Sequence, residues 1–141
     1  MKRKASAEWQ GDLKGGKGTI SSDSGVLSNA RYSFTTRFEN EKGTNPEELI
    51  AAAHAGCFSM ALSAELGKAN LTPGSIRTTA TVSLDKLDTG WTVIESHLEV
   101  SAKVPGASQD SFLAAARAAE TGCPISKLLK AKITMNARLE S

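Results

Sequence analysis

The sequence predicts a single α+β domain with a mostly antiparallel sheet, on three observations. Short segments alternating with a period of two fill the N-terminal third, a long apolar segment with a marked helix start follows, and two long alternating segments then precede two capped helices and a closing alternating segment. The predicted order is β-β-β-α-β-β-α-α-β over residues 1–141, a length that suits one domain.

From Ala5 to Phe38 the expected elements are three short strands, Ala5–Gln10, Gly18–Ser22 and Tyr32–Phe38, separated by Gly-Asp, Gly-Gly, Asp-Ser-Gly and Ser-Asn-Ala turns. In the third, Tyr32, Phe34, Thr36 and Phe38 share one face, so Arg37 is expected to point away from the aromatic side chains.

The long helix opens at Thr44-Asn45-Pro46-Glu47-Glu48: Asn45 can cap, Pro46 suits the first helical position, and the two acids favour the positive end of the dipole. It runs to about Lys68, where Gly67, Asn70, Pro73 and Gly74 mark the exit. From Leu49 to Leu62 it is apolar or small on nearly every side, the pattern of a helix enclosed by protein, and a chain of this size needs a second subunit to complete the enclosure.

Ile76 to Val104 reads as a hairpin turning around Asp85–Gly90. Ser108 caps a helix through Ala119 that Gly122 ends, and Cys123-Pro124 starts a short helix to about Ala131. Lys132–Glu140 alternates again as the last strand.

Composition excludes several classes of function. Seventeen basic residues against fifteen acidic ones, without blocks of like charge, argue against nucleic acid or an anionic membrane as partner. A bilayer span needs ~20 apolar residues, and the stretch Leu49–Leu62 stops short of that and contains His54 and Ser59, so no membrane helix is expected. Met1-Lys2-Arg3-Lys4 leads into no apolar region, so no secretory signal is expected here and the expected location is cytoplasmic. No phosphate-loop or dinucleotide fingerprint occurs: Gly11 to Gly18 is a Gly/Lys-rich turn without the required spacing.

The candidates for chemistry are few. Cys57 lies mid-helix, where a free cysteine usually serves as a small hydrophobe. Cys123 precedes Pro124 at a helix start whose N–H groups favour thiolate, though a cysteine chosen there for its size fits as well. Arg37 and Glu47 flank the helix that carries Cys57, as a site pair or as a surface ion pair. His54 shares a helical face with Cys57 and can serve as base, ligand or hydrogen-bonded interior histidine. A zinc site from His54, Cys57, His97 and Cys123 lacks the paired spacing of zinc modules, so no metal or other cofactor is expected.

Five segments carry a family resemblance: Thr35-Thr36-Arg37-Phe38-Glu39, Gly43-Thr44-Asn45-Pro46-Glu47-Glu48-Leu49, Ala52-Ala53-His54-Ala55-Gly56-Cys57-Phe58-Ser59-Met60-Ala61-Leu62, Val82-Ser83-Leu84-Asp85-Lys86 and Gly122-Cys123-Pro124-Ile125-Ser126. Together they resemble the OsmC/Ohr family of thiol peroxidases over essentially the whole chain. Arg37, just before the Pro-Glu helix, favours the OsmC branch over the organic hydroperoxide resistance branch.

The resemblance implies a metal-free enzyme that reduces organic hydroperoxides, and hydrogen peroxide less well. In that reading Cys57 is the peroxidatic cysteine, Cys123 the resolving one, and Arg37 and Glu47 orient and activate the thiolate. It also implies an interlocked homodimer in which two sheets enclose the central helices, active sites at the subunit interface, and a dithiol reductant of lipoyl type. A thiol of ordinary pKa, ~8.5, is about 3% ionised at pH 7, so a cation alone raises the reactive fraction roughly thirtyfold at most. The remaining acceleration then falls to orientation of the peroxide and stabilisation of the departing alkoxide by a planar guanidinium. Other readings of the same scaffold are a non-catalytic stress or small-molecule-binding protein and a general dithiol oxidoreductase.

Overall fold

The structure, a computed structural model, describes residues 1–140 and divides into two compact units, Met1–Leu49 and Ile50–Ser141. The helix from Pro46 to Lys68 crosses from the first into the second.

In the first unit β1 (Ala5–Gln10), β2 (Lys17–Ser22) and β3 (Ala30–Tyr32) form an antiparallel sheet in that order. Gly18 pairs with both Trp9 and Tyr32, whose rings meet at 5.5 Å. A Cβ on Gly18 would lie 2.5 Å from the Tyr32 ring, so glycine makes room for this aromatic pair.

The expected third strand, Tyr32–Phe38, is replaced by the short β3 and a helix, α1 (Phe34–Phe38). Ser33 decides the change: its hydroxyl accepts from Thr36 N–H at 3.2 Å while its own N–H donates to Thr36 Oγ1 at 2.7 Å, a reciprocal box that starts a helix. Phe34 and Phe38 then meet one turn apart, with ring centroids 4.8 Å from each other. The Arg37 guanidinium lies 5.4 Å from the centre of the Phe38 ring, which corrects the expectation that it points away from the aromatics.

α2 (Pro46–Lys68) starts and ends where the sequence places it. Asn45 Oδ1 accepts from Glu48 N–H at 2.8 Å, Pro46 occupies the first turn, and Asn70 takes a positive φ of 58° beyond the end. In the second unit α2 buries one stripe, His54, Phe58, Leu62 and Leu66, at intervals of four. Ala52, Ala53, Gly56 and Met60 are exposed, Met60 at 76%. The chain itself therefore covers one side of a helix that composition predicts to be enclosed on all sides. By length and composition α2 can also span a bilayer, against the expectation drawn from Leu49–Leu62, because the helix continues past Leu62 to Lys68. A core helix passes the same test, and the stripe from His54 to Leu66 is packed as core.

The hairpin β4 (Ser75–Leu87) and β5 (Gly90–Lys103) turns through Asp88 and Thr89, with Gly90 at φ 114°. α3 (Gln109–Gly122) opens on a Ser108–Ser111 capping box, and α4 (Pro124–Leu128) follows directly after Cys123. β6 (Lys132–Glu140) then joins the edge of β5 in parallel, giving the order β4-β5-β6. Its direction follows from α3 and α4, which carry the chain back along the sheet before β6 begins, as a crossover requires. The core gathers Phe58, Leu62 and Leu66 of α2, Leu98, Val100 and Ala102 of β5, Phe112, Ala116 and Ala119 of α3, and Cys123.

Candidate functional site

The candidate side chains form two pairs, one in each unit. In the second unit Cys57, partly buried at mid-α2, meets Cys123, which is fully buried at the junction of α3 and α4; both are reduced. The Cys123 N–H closes α3 on Ala119 O at 2.9 Å, and its carbonyl accepts the Lys127 N–H of α4 at 3.0 Å, so two helices fix its backbone.

The two thiols hydrogen-bond to each other and differ in what surrounds them. Burial pushes the Cys57 thiol up, and its bond to Cys123 adds to the effect, offset in part by the Ile125 N–H. Burial also opposes ionisation of Cys123. Hydrogen bonds from Cys57, from the N–H groups of Ser126 and Ile125, and from the Ser126 hydroxyl outweigh it and hold Cys123 below the usual thiol range. Within one chain, then, Cys123 is the more acidic of the two thiols. Cys123 stands at the N-cap of α4 as the sequence places it, without a side-chain capping hydrogen bond.

His54, one turn before Cys57, is fully buried, with Nδ1 2.6 Å from Ser96 Oγ and Nε2 2.8 Å from Ser126 Oγ. Burial pulls its pKa below the ordinary imidazole value, so it is neutral. Of the readings open to it, the hydrogen-bonded interior histidine is the one realised. The zinc quartet does not assemble: His97 bonds instead to Thr134 Oγ1 at 2.6 Å and Glu99 Oε1 at 2.8 Å. Among the described residues no group of three or more His, Cys, Asp or Glu side chains is arranged to hold a metal.

In the first unit α1 presents Arg37 from its last turn and α2 presents Glu47 from its first. Arg37 Nη2 donates to Glu47 Oε1 at 2.7 Å, and Nε reaches Oε1 at 3.1 Å and Oε2 at 3.2 Å, a fork that holds the guanidinium plane. The side chains are 35% and 12% exposed, respectively, so the pair is more sheltered than an ordinary surface bridge. Beside it lies a cavity of about 280 Å³ lined by Trp9, Leu13, Tyr32, Phe34, Arg37 and Phe38. The sequence pointed to Arg37 but not to this apolar surround, because Phe34 and Phe38 join it only once that segment is a helix. Glu47 and Cys57 stand ten residues apart on one unbroken α2, ~15 Å of helix axis.

A model of the family described as OsmC-like protein matches residues 39–138 of the chain. Peroxiredoxin OsmC of Escherichia coli (strain K12) is 55% identical over 139 residues, covering 99% of this chain and 97% of that protein. The organic hydroperoxide resistance protein OhrB of Bacillus subtilis (strain 168) is 30% identical over 129 residues, covering 90% and 93%. The crystal structure of Bacillus subtilis OhrB superimposes with a TM-score of 0.68 at 25% identity, covering 97% of this chain and 98% of the other. An OsmC-like protein of unknown function from Vibrio cholerae shares the fold with a TM-score of 0.77 at 17% identity, covering 97% and 99%.

Proposed function

Because the chain belongs to the OsmC-like protein family, we propose that it is a cysteine-based peroxidase that reduces organic hydroperoxides, with Cys57 as the peroxidatic and Cys123 as the resolving residue. The observation that carries the assignment is the pair of free thiols, Cys57 of α2 packed against the buried cluster that holds Cys123, close enough for each to shift the ionisation of the other. The Cys57 thiolate attacks the terminal oxygen of the hydroperoxide; the O–O bond breaks, the alkoxide leaves and takes a proton, and Cys57 becomes a sulfenic acid. The Cys123 thiolate then attacks that sulfur, forming the disulfide and expelling hydroxide, before over-oxidation can occur. A dithiol reductant, lipoyl-type in this reading, reopens the bond by exchange. The cytoplasm, where thiols are kept reduced, suits that cycle.

Burial makes Cys57 the less acidic of the two thiols, so a cation beside it must favour its ionisation before attack. The roughly thirtyfold ceiling on thiolate activation also rises, since burial leaves Cys57 less ionised at pH 7 than an ordinary thiol. Arg37 is the residue for this, steadied by Glu47, with the adjoining apolar cavity suited to the organic part of a hydroperoxide. The ~15 Å of helix between Glu47 and Cys57 favours supply of the Arg37–Glu47 pair by a second subunit. The exposed Ala52, Ala53, Gly56 and Met60 face of α2 supports an interlocked homodimer in which that face is covered.

The test is consumption of cumene hydroperoxide with dithiothreitol as the only reductant. Turnover that Cys57→Ser abolishes fits the proposal. Absence of turnover with intact thiols would favour a binding protein, and disulfide exchange without peroxide consumption would favour a general dithiol oxidoreductase.

A further inference from the structure

Each helix leaves backbone groups at its ends without an intrahelical partner, carbonyls at the C-terminus and N–H groups at the N-terminus. The end of α1 and the start of α2 are separated by the short segment 39–45, with Arg37 on one side of it and Glu47 on the other. One side chain serves both helices. Asn45 Nδ2 donates to the Thr36 carbonyl of α1 at 3.1 Å, and Asn45 Oδ1 accepts from the Glu48 N–H of α2 at 2.8 Å. The second bond is the cap expected of Asn45-Pro46. The first reaches back nine residues and is not part of the cap.

The orientation of the amide is fixed by its partners. A carbonyl only accepts and an N–H only donates, so the nitrogen must face Thr36 and the oxygen Glu48. The Thr36 carbonyl belongs to the peptide unit that leads into Arg37, and the N–H of the same unit, that of Arg37, donates to Ser33 O at 3.2 Å. The Glu48 N–H belongs to the peptide unit that follows Glu47. Asn45 therefore joins the two peptide units next to the Cα atoms of Arg37 and Glu47, whose side chains form the fork. The segment is tied down at two more points, where Thr35 Oγ1 donates to the Glu41 carboxylate and the Thr44 N–H donates to Arg31 O at 2.9 Å. Thr36 is buried and Asn45 partly buried, so water competes little for the Thr36 carbonyl.

We infer that Asn45 is a positioning residue for the Arg37–Glu47 pair: its carboxamide locks α1 to α2 in the register at which the guanidinium meets both carboxylate oxygens. The inference rests on the reading of Arg37 and Glu47 as site residues and deepens it. The fork makes three contacts of 2.7 to 3.2 Å with a planar group, so a small tilt of α1 against α2 breaks at least one of them. A cap alone acts on α2; the bond to Thr36 O extends its hold to α1.

Substitutions that keep the cap and lose the bond to Thr36 separate the two roles. Serine and aspartate cap a helix about as well as asparagine does, but serine is too short to reach both partners and aspartate has no N–H to give. The Arg37 Nε–H resonance, identified by its loss in Arg37→Lys, reports the fork without any hydroperoxide. Its exchange with solvent should quicken about fivefold in Asn45→Ser and in Asn45→Asp, the size of one neutral hydrogen bond expressed as a ratio of rates. The first oxidation of Cys57 should slow by a similar factor in Asn45→Ser, and no further in Asn45→Ala, which loses the cap as well. In a Glu47→Gln background, where the fork is already loosened, Asn45→Ser should slow the oxidation less than about twofold more. Unchanged Nε–H exchange in both cap-keeping variants, a slowing confined to Asn45→Ala, or a full fivefold slowing added to that of Glu47→Gln would overturn the inference. Faster exchange in a protein that consumes no hydroperoxide would leave the inference standing and remove the peroxidase reading instead.

Discussion

Glu47→Gln removes the charge from one side of the Arg37 fork while keeping its shape and one acceptor oxygen. Three contacts between 2.7 and 3.2 Å join the two side chains. A hydrogen bond to a charged group contributes ~1.5–3 kcal/mol when sheltered, and an exposed ion pair ~0–1 kcal/mol. With Glu47 at 12% and Arg37 at 35% exposure the pair lies between these limits, and ~1–2 kcal/mol is the expected loss of guanidinium positioning. If the whole of that is felt in the transition state, the first oxidation of Cys57 slows about 5- to 30-fold, since ~1.4 kcal/mol is a factor of ten. Stopped-flow oxidation of the reduced protein by one equivalent of cumene hydroperoxide, followed from about pH 7 to pH 10, measures it. The defect should persist at the alkaline end, where ionisation of Cys57 depends less on a neighbouring cation. A rate equal to that of the unsubstituted protein would show that Glu47 does not hold the working arginine. A defect that disappears at high pH would show that the guanidinium acts on thiolate fraction alone.

Other substitutions probe separate parts of the account. Cys123→Ser should permit one turnover and then accumulate Cys57 sulfenic acid, trapped by dimedone and seen by mass spectrometry; sustained turnover at the unsubstituted rate would contradict its role. Ser33→Ala breaks the capping box of α1 and should cost about 0.5–2 kcal/mol in urea unfolding, with a slower Cys57 oxidation because α1 carries Arg37. His54 has a depressed folded pKa, so the unfolded chain binds the extra proton first as pH falls: its contribution to stability is complete above ~6.5 and is lost below it. Between pH 7.5 and 5.5 the unsubstituted protein should lose up to about 1.4 kcal/mol more than His54→Asn, whatever the other groups contribute. Parallel losses in the two proteins would place His54 in contact with water.

Local chemistry wrote much of this fold openly. Asn45-Pro46-Glu47 starts α2, Ser108 starts α3, Cys123-Pro124 separates α3 from α4, and the alternation of Lys132–Glu140 is β6, because caps and periodicity act within a few residues. The segment 32–38 misleads because Phe34 and Phe38 satisfy both a strand's alternation and a helix's spacing of four; the decision rests on a Ser33–Thr36 exchange worth two hydrogen bonds. Strand direction is not local at all, so the parallel pairing of β5 and β6 had no signal in either strand. At the site, residue types and resemblance singled out the four candidates and paired them as Cys57–Cys123 and Arg37–Glu47, while the three-contact fork and the unequal burial of the two thiols required coordinates. Ser96 and Ser126 are common polar residues with no motif of their own, and only burial beside His54 gives them meaning.

The central claim is that one active site takes its cysteines from one chain and its arginine–glutamate pair from another. Glu47→Ala and Cys57→Ser, each inactive alone, can be mixed under conditions that let subunits exchange, with exchange itself followed by mass-tagged chains. A heterodimer then contains one site with both Cys57 and Glu47 intact and one with neither, so about one working site in two should return. Hydroperoxide turnover recovering toward that level is the predicted result. No recovery despite demonstrated exchange would contradict the claim, and would place Glu47 and Cys57 in the same subunit's site or remove Glu47 from the chemistry.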